Sequence, residues 1–173
     1  YLFDQYVRSI FSEIKSQVVG LRYFNVYGPN ENHKGSMASV VWHADKQLKN
    51  TGIINLFEGT DGYTNGEQLR DFIYVDDVVA VNLWFLKSKK SGIFNAGTGN
   101  CESFNALAKA VIDFYGHGEI RYIPFPEHLR ECYQSFTQAD LSKLRSVGYQ
   151  AAFRSVANGV KDYLSIMHKN ITI

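Results

Sequence analysis

Few side chains in this 173-residue sequence combine a reactive type with a suggestive neighbourhood. Arg70 closes a polar, glycine-containing loop, and its planar guanidinium suits the paired oxygens of a diphosphate; the same fork would also serve a surface ion pair with a neighbouring acid. Lys34, in His33-Lys34-Gly35-Ser36, could act as a base toward a substrate hydroxyl only where burial or a nearby positive charge lowered its affinity for its own proton. The bland alternative is a solvated loop lysine. His43, within a helical pattern, and Tyr133, beyond a proline-broken strand, read by themselves as a structural histidine and a packing aromatic. Cys101 and Cys132 are too few and too isolated for a disulfide framework or a zinc site, so no metal centre is expected.

These residues sit on alternating strands and helices. Leu2, Phe3, Tyr6, Val7, Ile10, Phe11 and Ile14 keep helical spacing with no cap before them, so the sequence opens inside a helix. The run from Gln17 to Tyr27, rich in β-branched and aromatic residues and stopped by Gly28-Pro29, predicts a strand buried on both faces. Ser36 offers a hydroxyl cap for a helix reaching Asn50. A strand over 53–57 precedes a polar loop over 58–70 with three glycines, long enough that binding is expected of it. A short strand over 72–75 leads to a helix capped by Asp76 or Asp77, with Val78, Val79, Leu83, Phe85 and Leu86 as its apolar positions. Ile93 to Asn95 and Ile120 to Ile123 predict two more strands, with a helix capped by Ser103 between them. Helices near 139–147 and 155–168 complete an α/β pattern.

Composition narrows the partners. Eighteen basic and 17 acidic side chains leave a formal charge of +1 without long runs, so no footprint for nucleic acid is present. The 11 Tyr and 12 Phe lack the positive groove that base-stacking platforms need, and read as core. No apolar run is long enough to span a bilayer, no signal-peptide layout opens the sequence, and a soluble cytoplasmic protein is expected.

Three motifs recur in order: Arg22 to Pro29 (RYFNVYGP), Arg70 to Val78 (RDFIYVDDV) and Phe94 to Gly99 (FNAGTG). Together they resemble the extended short-chain dehydrogenase/reductase family of sugar-nucleotide epimerases and dehydratases. His33 to Ser39 (HKGSMAS), Leu56 to Gly59 (LFEG) and Tyr133 to Asp140 (YQSFTQAD) are similar to its ADP-heptose branch. The resemblance covers essentially the whole chain and implies the C-terminal part of a Rossmann-like NAD(P)-binding fold plus a small α/β substrate-binding lobe. Residues 1–30 would end the nucleotide-binding domain, and 31–173 would form mainly the lobe with returning Rossmann elements.

It also implies an isomerase that oxidises a sugar carbon by hydride transfer to NADP and returns the hydride to the other face. Two acid/base groups are then needed, one for each face. The family's tyrosine, in Tyr-x-x-x-Lys, serves one; Lys34 matches the lysine that serves the other and touches the cofactor, as Val26 would. Asn25, Ser36, His43, Phe57, Glu58, Gly59, Thr60, Arg70 and Tyr133 match positions implied to hold the ADP-heptose. No tyrosine here has lysine four positions later, and no glycine-rich dinucleotide turn occurs. The expectation is therefore the C-terminal half of such an enzyme, inactive alone, exposing apolar surface on its sheet edge and opening helix, and completed by its N-terminal half in a cytoplasmic homo-oligomer. Thr60 to Leu69 is longer than the family's usual loop, which bears on the choice of sugar. Two alternatives stay open: a non-catalytic ADP-sugar-binding or assembly module, and another nucleotide-sugar epimerase or dehydratase.

Overall fold

The computed structural model describes residues 2–169; Tyr1 and the last four residues lie outside the described part. Helix α1 (Leu2–Ile10) runs into a single 3₁₀ turn and leads to strand β1 (Val19–Tyr23), then β2 (Asn25–Tyr27). Helix α2 (Val40–Thr51) follows, then β3 (Ile53–Phe57), β4 (Leu69–Arg70), β5 (Phe72–Tyr74) and α3 (Val75–Lys87). The order continues through β6 (Gly92–Ala96), β7 (Glu102–Ser103), α4 (Phe104–Tyr115), β8 (Glu119–Ile123), α5 (Ser142–Ser146) and α6 (Val156–Lys169). Strands pair as β1 with β6, β2 with β5 and β3 with β8, all parallel, and β4 with β7 antiparallel. The architecture is α/β and Rossmann-like, as the alternation of elements requires.

The larger core lies between β2, β3 and β5 on one side and α2, α4 and α6 on the other, with Val41, Leu48, Leu107 and Leu164 almost fully enclosed. A second cluster joins α3, β6 and α5 through Val81, Phe85, Phe94 and Leu144. The helices end where the chemistry directs. Ser39 and Ser103 accept from the N–H groups of Trp42 and Ala106, and Gly52 closes α2 at φ 73°, a conformation that favours glycine.

Several elements depart from expectation. The strand over 17–27 is split at Phe24, whose N–H turns to Ala96, and β1 is half-exposed because it pairs with β6 alone among the described residues. The α2 cap is Ser39, not Ser36: residues Asn32–Met37 form a 3₁₀ segment broken at Gly35 (φ 54°), which delays the helix. Neither Asp76 nor Asp77 caps α3. The helix already starts at Val75, and the buried Asp77 instead pairs with Arg154 and accepts from its backbone N–H. On α3, Val78, Val81 and Phe85 face the core, whereas Val79, Leu83 and Leu86 are exposed. Leu2, Phe3 and Tyr6 on α1 are likewise exposed, the apolar face expected of the opening helix.

Candidate functional site

Two neighbouring cavities collect most of the side chains singled out by sequence. The larger, about 510 Å³, is lined by Asn25, His43, Phe57, Arg70 and Tyr133 together with Gln47, Asn55, Gln68 and Phe104. Strand β3, helix α2 and the loop before β4 bring these groups together. The smaller, about 310 Å³, is lined by Asn25, Val26, Glu31, Lys34 and Ser39 against the apolar walls of Phe24, Val40, Phe72 and Leu107. Asn25, at the start of β2, belongs to both, as do Val40 and Phe72. Phe57 and Ile123, which end the parallel strands β3 and β8, also line the larger cavity, placing it at the carboxyl end of that pair, where such sheets bind ligands.

Arg70 is the dominant charge of the larger cavity. It is 7% exposed, its Nη1 donates to the Leu69 carbonyl at 3.0 Å, and no carboxylate among the described residues pairs with it. Its guanidinium carbon lies 4.8 Å from the Tyr133 ring centroid and 5.8 Å from that of Phe104. Burial pulls the guanidinium below its ordinary pKa, and burial likewise pushes the Tyr133 phenol up while the Arg70 charge opposes the rise. An aromatic-flanked, unpaired cation in a cavity is a receptor for an anion. Among the described residues Arg70 forms no surface ion pair.

Lys34 is placed otherwise. Its side chain is 44% exposed, and its Nζ lies 3.2 Å from Oε1 of Glu31, which is 4% exposed. Neither deep burial nor a neighbouring positive charge is supplied; a carboxylate is. Lys34 therefore meets the smaller cavity as the cationic partner of a buried acid.

Ser36, Glu58, Gly59 and Thr60 line neither cavity. The Ser36 carbonyl lies 3.4 Å from His43 Nε2, so that loop touches the site through its backbone. Glu58 offers its carbonyl to Gln68 Nε2 at 2.9 Å. Gly59 donates to Asn65 Oδ1 at 2.9 Å, and a Cβ there would lie 2.0 Å from the Tyr63 carbonyl oxygen. Thr60 accepts from the Tyr63 N–H, closing the turn. These residues shape the loop whose Gly66 and Gln68 reach the cavity wall.

Sequence reasoning missed Glu31, Gln47, Gln68 and the role of Asp71. Gln47 had a signal, since it follows His43 by one helical turn on the same face of α2. Asp71 is completely buried and accepts from the Thr98 N–H (2.7 Å) and hydroxyl (2.8 Å), the Gly99 N–H (2.9 Å) and the Ala139 N–H (2.9 Å). It thus ties the turn after β6 to the segment before α5, next to the residue that closes the larger cavity. A Cβ on Gly97 would come within 2.8 Å of Asp71 Oδ2 and 2.6 Å of the Ala139 Cβ, which explains glycine there.

Comparison with known proteins gives the family of the chain. The sequence profile of the NAD dependent epimerase/dehydratase family matches residues 1–97, more than half of the chain. The chain belongs to that family. It is 59% identical over 163 residues to the ADP-L-glycero-D-manno-heptose-6-epimerase of Alkalilimnicola ehrlichii, covering 94% of this chain and 51% of the relative. It superposes on the crystal structure of the Helicobacter pylori ADP-L-glycero-D-manno-heptose-6-epimerase with a TM-score of 0.76 at 34% identity, covering 95% of this chain and 48% of that one. The UDP-glucose 4-epimerase of Thermotoga maritima gives 0.77 at 28% identity, covering 99% and 52%. The chain spans about half the length of the curated relative it matches. Among the described residues no helix is long and apolar enough to cross a membrane.

Proposed function

We propose that this chain supplies the nucleotide-sugar pocket, and one of two acid/base groups, of an epimerase that interconverts ADP-D-glycero- and ADP-L-glycero-manno-heptose by transient oxidation at C6. The observation that carries the reading is Arg70: a buried, unpaired guanidinium flanked by Tyr133 and Phe104, in a cavity joined through Asn25 to the one that holds Lys34. The diphosphate would lie at Arg70, with His43, Gln47, Phe57 and Gln68 around the rest of the nucleotide and Asn25 beside the sugar. Lys34 would hand a proton to the sugar oxygen on one face. The Tyr-x-x-x-Lys pair proposed for the other face is not among these 173 residues, which taken alone are expected to bind and not to turn over.

The smaller cavity suits the nicotinamide end of NADP, having apolar walls of Phe24, Val40 and Phe72 and the polar groups Asn25, Glu31 and Lys34, and Val26 would lie against the ring. The cofactor would accept and return the hydride. The same reading assigns residues 1–30 to the end of the nucleotide-binding domain and 31–173 to the substrate lobe, in a cytoplasmic homo-oligomer. The 34% and 59% identities to heptose epimerases, set against 28% to a UDP-glucose epimerase, support the heptose branch, as does the His33–Ser36 loop.

Titration calorimetry with ADP on the full-length protein tests the pocket. Arg70→Ala is expected to weaken ADP by about 10- to 100-fold, the worth of charge-assisted bonds to phosphate. An unchanged affinity would remove the diphosphate from Arg70 and the reading with it.

A further inference from the structure

We infer that Glu31 is a positioning residue for Lys34: its buried carboxylate fixes the lysine ammonium at the mouth of the smaller cavity and ties it to the N-terminus of α2. The inference rests on the reading of Lys34 given above.

A carboxylate that is 4% exposed is costly unless several donors satisfy it, and these donors are specific. Oε1 accepts from the Ser39 N–H at 3.1 Å and from Lys34 Nζ at 3.2 Å, while Oε2 accepts from the Ser39 hydroxyl at 2.5 Å. Ser39 is also the cap of α2, its hydroxyl oxygen accepting from the Trp42 N–H at 3.3 Å. One side chain therefore connects the helix that carries His43 and Gln47 with the loop that carries Lys34. That loop is also tied to α2 by Trp42 Nε1, which donates to Asn32 Oδ1 at 2.9 Å, and by the Ser36 carbonyl 3.4 Å from His43 Nε2, but neither contact reaches the Lys34 side chain. The loop is a 3₁₀ segment interrupted at Gly35, and the Lys34 side chain makes no other ion pair among the described residues.

A buried carboxylate needed only as a helix cap would be satisfied by Ser39. The Lys34 cation is not needed for capping, and it is this cation that lines the cavity. When Lys34 gives a proton to the substrate oxygen, the N–H bond breaks, an O–H bond forms and the lysine becomes a neutral amine, while Glu31 takes no part in the transfer. The proton is regained from solvent through the exposed side of Lys34.

The other ionisable groups around the pair leave room for a clean test. Tyr27 of β2 shares the cavity wall, and Tyr163 of α6 lies against Glu31 with Asp45 of α2 behind it. Burial first, and neighbouring carboxylates second, push both phenols well above their ordinary range.

The test is the pH dependence of kcat in the full-length holoenzyme, with folding followed by thermal melting. Glu31→Gln keeps the shape and removes the charge. It is expected to lower kcat about tenfold or more with KM within about twofold, and to move the basic limb of the profile to lower pH, because the ammonium loses its partner. Glu31→Asp draws the carboxylate back and should move the limb in the same direction by less; it carries the test if Glu31→Gln does not fold. In a Lys34→Met background, Glu31→Gln should cost little further, since the two act as a unit. An unmoved basic limb in a folded variant, with Lys34→Met inactive, overturns the role of Glu31 and leaves that of Lys34 standing. A Lys34→Met enzyme with normal turnover overturns both.

Discussion

Replacing Lys34 with methionine in the full-length protein is expected to lower kcat by about 100- to 10,000-fold, the usual contribution of a positioned acid/base group. KM for the nucleotide sugar should change little, because the diphosphate is assigned to Arg70 in the larger cavity and Lys34 lies only on the smaller one. Stability should hardly move: the side chain is 44% exposed and its single ion pair is partly solvated. Steady-state kinetics beside a thermal melt separate these effects. A fall in kcat with KM and melting temperature intact marks a group that acts in the reaction, whereas a rise in KM alone would make Lys34 a binding residue.

Asp71→Ala is the substitution with the largest expected cost in stability. Four donors converge on a side chain with no exposure, and removing the acceptor leaves the half-buried N–H groups of Thr98 and Gly99 and the buried one of Ala139 without partners. At about 1–3 kcal/mol for each such group, partly relieved by relaxation, the loss should reach about 3–5 kcal/mol. Urea denaturation of the full-length protein would show it as a lowered midpoint at a similar slope. Asp71→Asn retains one oxygen but turns an NH₂ toward other donors, so it should fall in between. A loss under about 1 kcal/mol for the alanine variant would mean that the two loops are held by other contacts.

Much of this molecule was legible because its motifs and its periodicities agree. The parallel strands, the helices capped at Ser103 and near Ser39, and the polar loop before Arg70 follow from local patterns alone. The errors have local causes too. Ser36 and Ser39 both look like caps, and only the left-handed turn at Gly35 decides for the second. Val79, Leu83 and Leu86 have core-like identities, yet the face of α3 that packs on β6 and α5 is set by Val81 and Phe85. In the site, Arg70, Tyr133, His43 and Lys34 stood out through their motifs. Glu31 did not, since an acid three residues before a lysine in a loop gives no hint of burial. Asp71 lay inside a recognised motif, but its partners at 98, 99 and 139 are distant in sequence and only the fold brings them to it.

The proposed epimerisation can be followed by NMR when the full-length protein, with NADP, is given ADP-D-glycero-manno-heptose carrying deuterium at C6. Conversion to the L-glycero epimer with the deuterium retained at C6 is expected, because the hydride that leaves is the one that returns. Recovery of unchanged ADP-heptose under conditions in which a UDP-hexose is epimerised would contradict it, and would move the protein to another branch of the family.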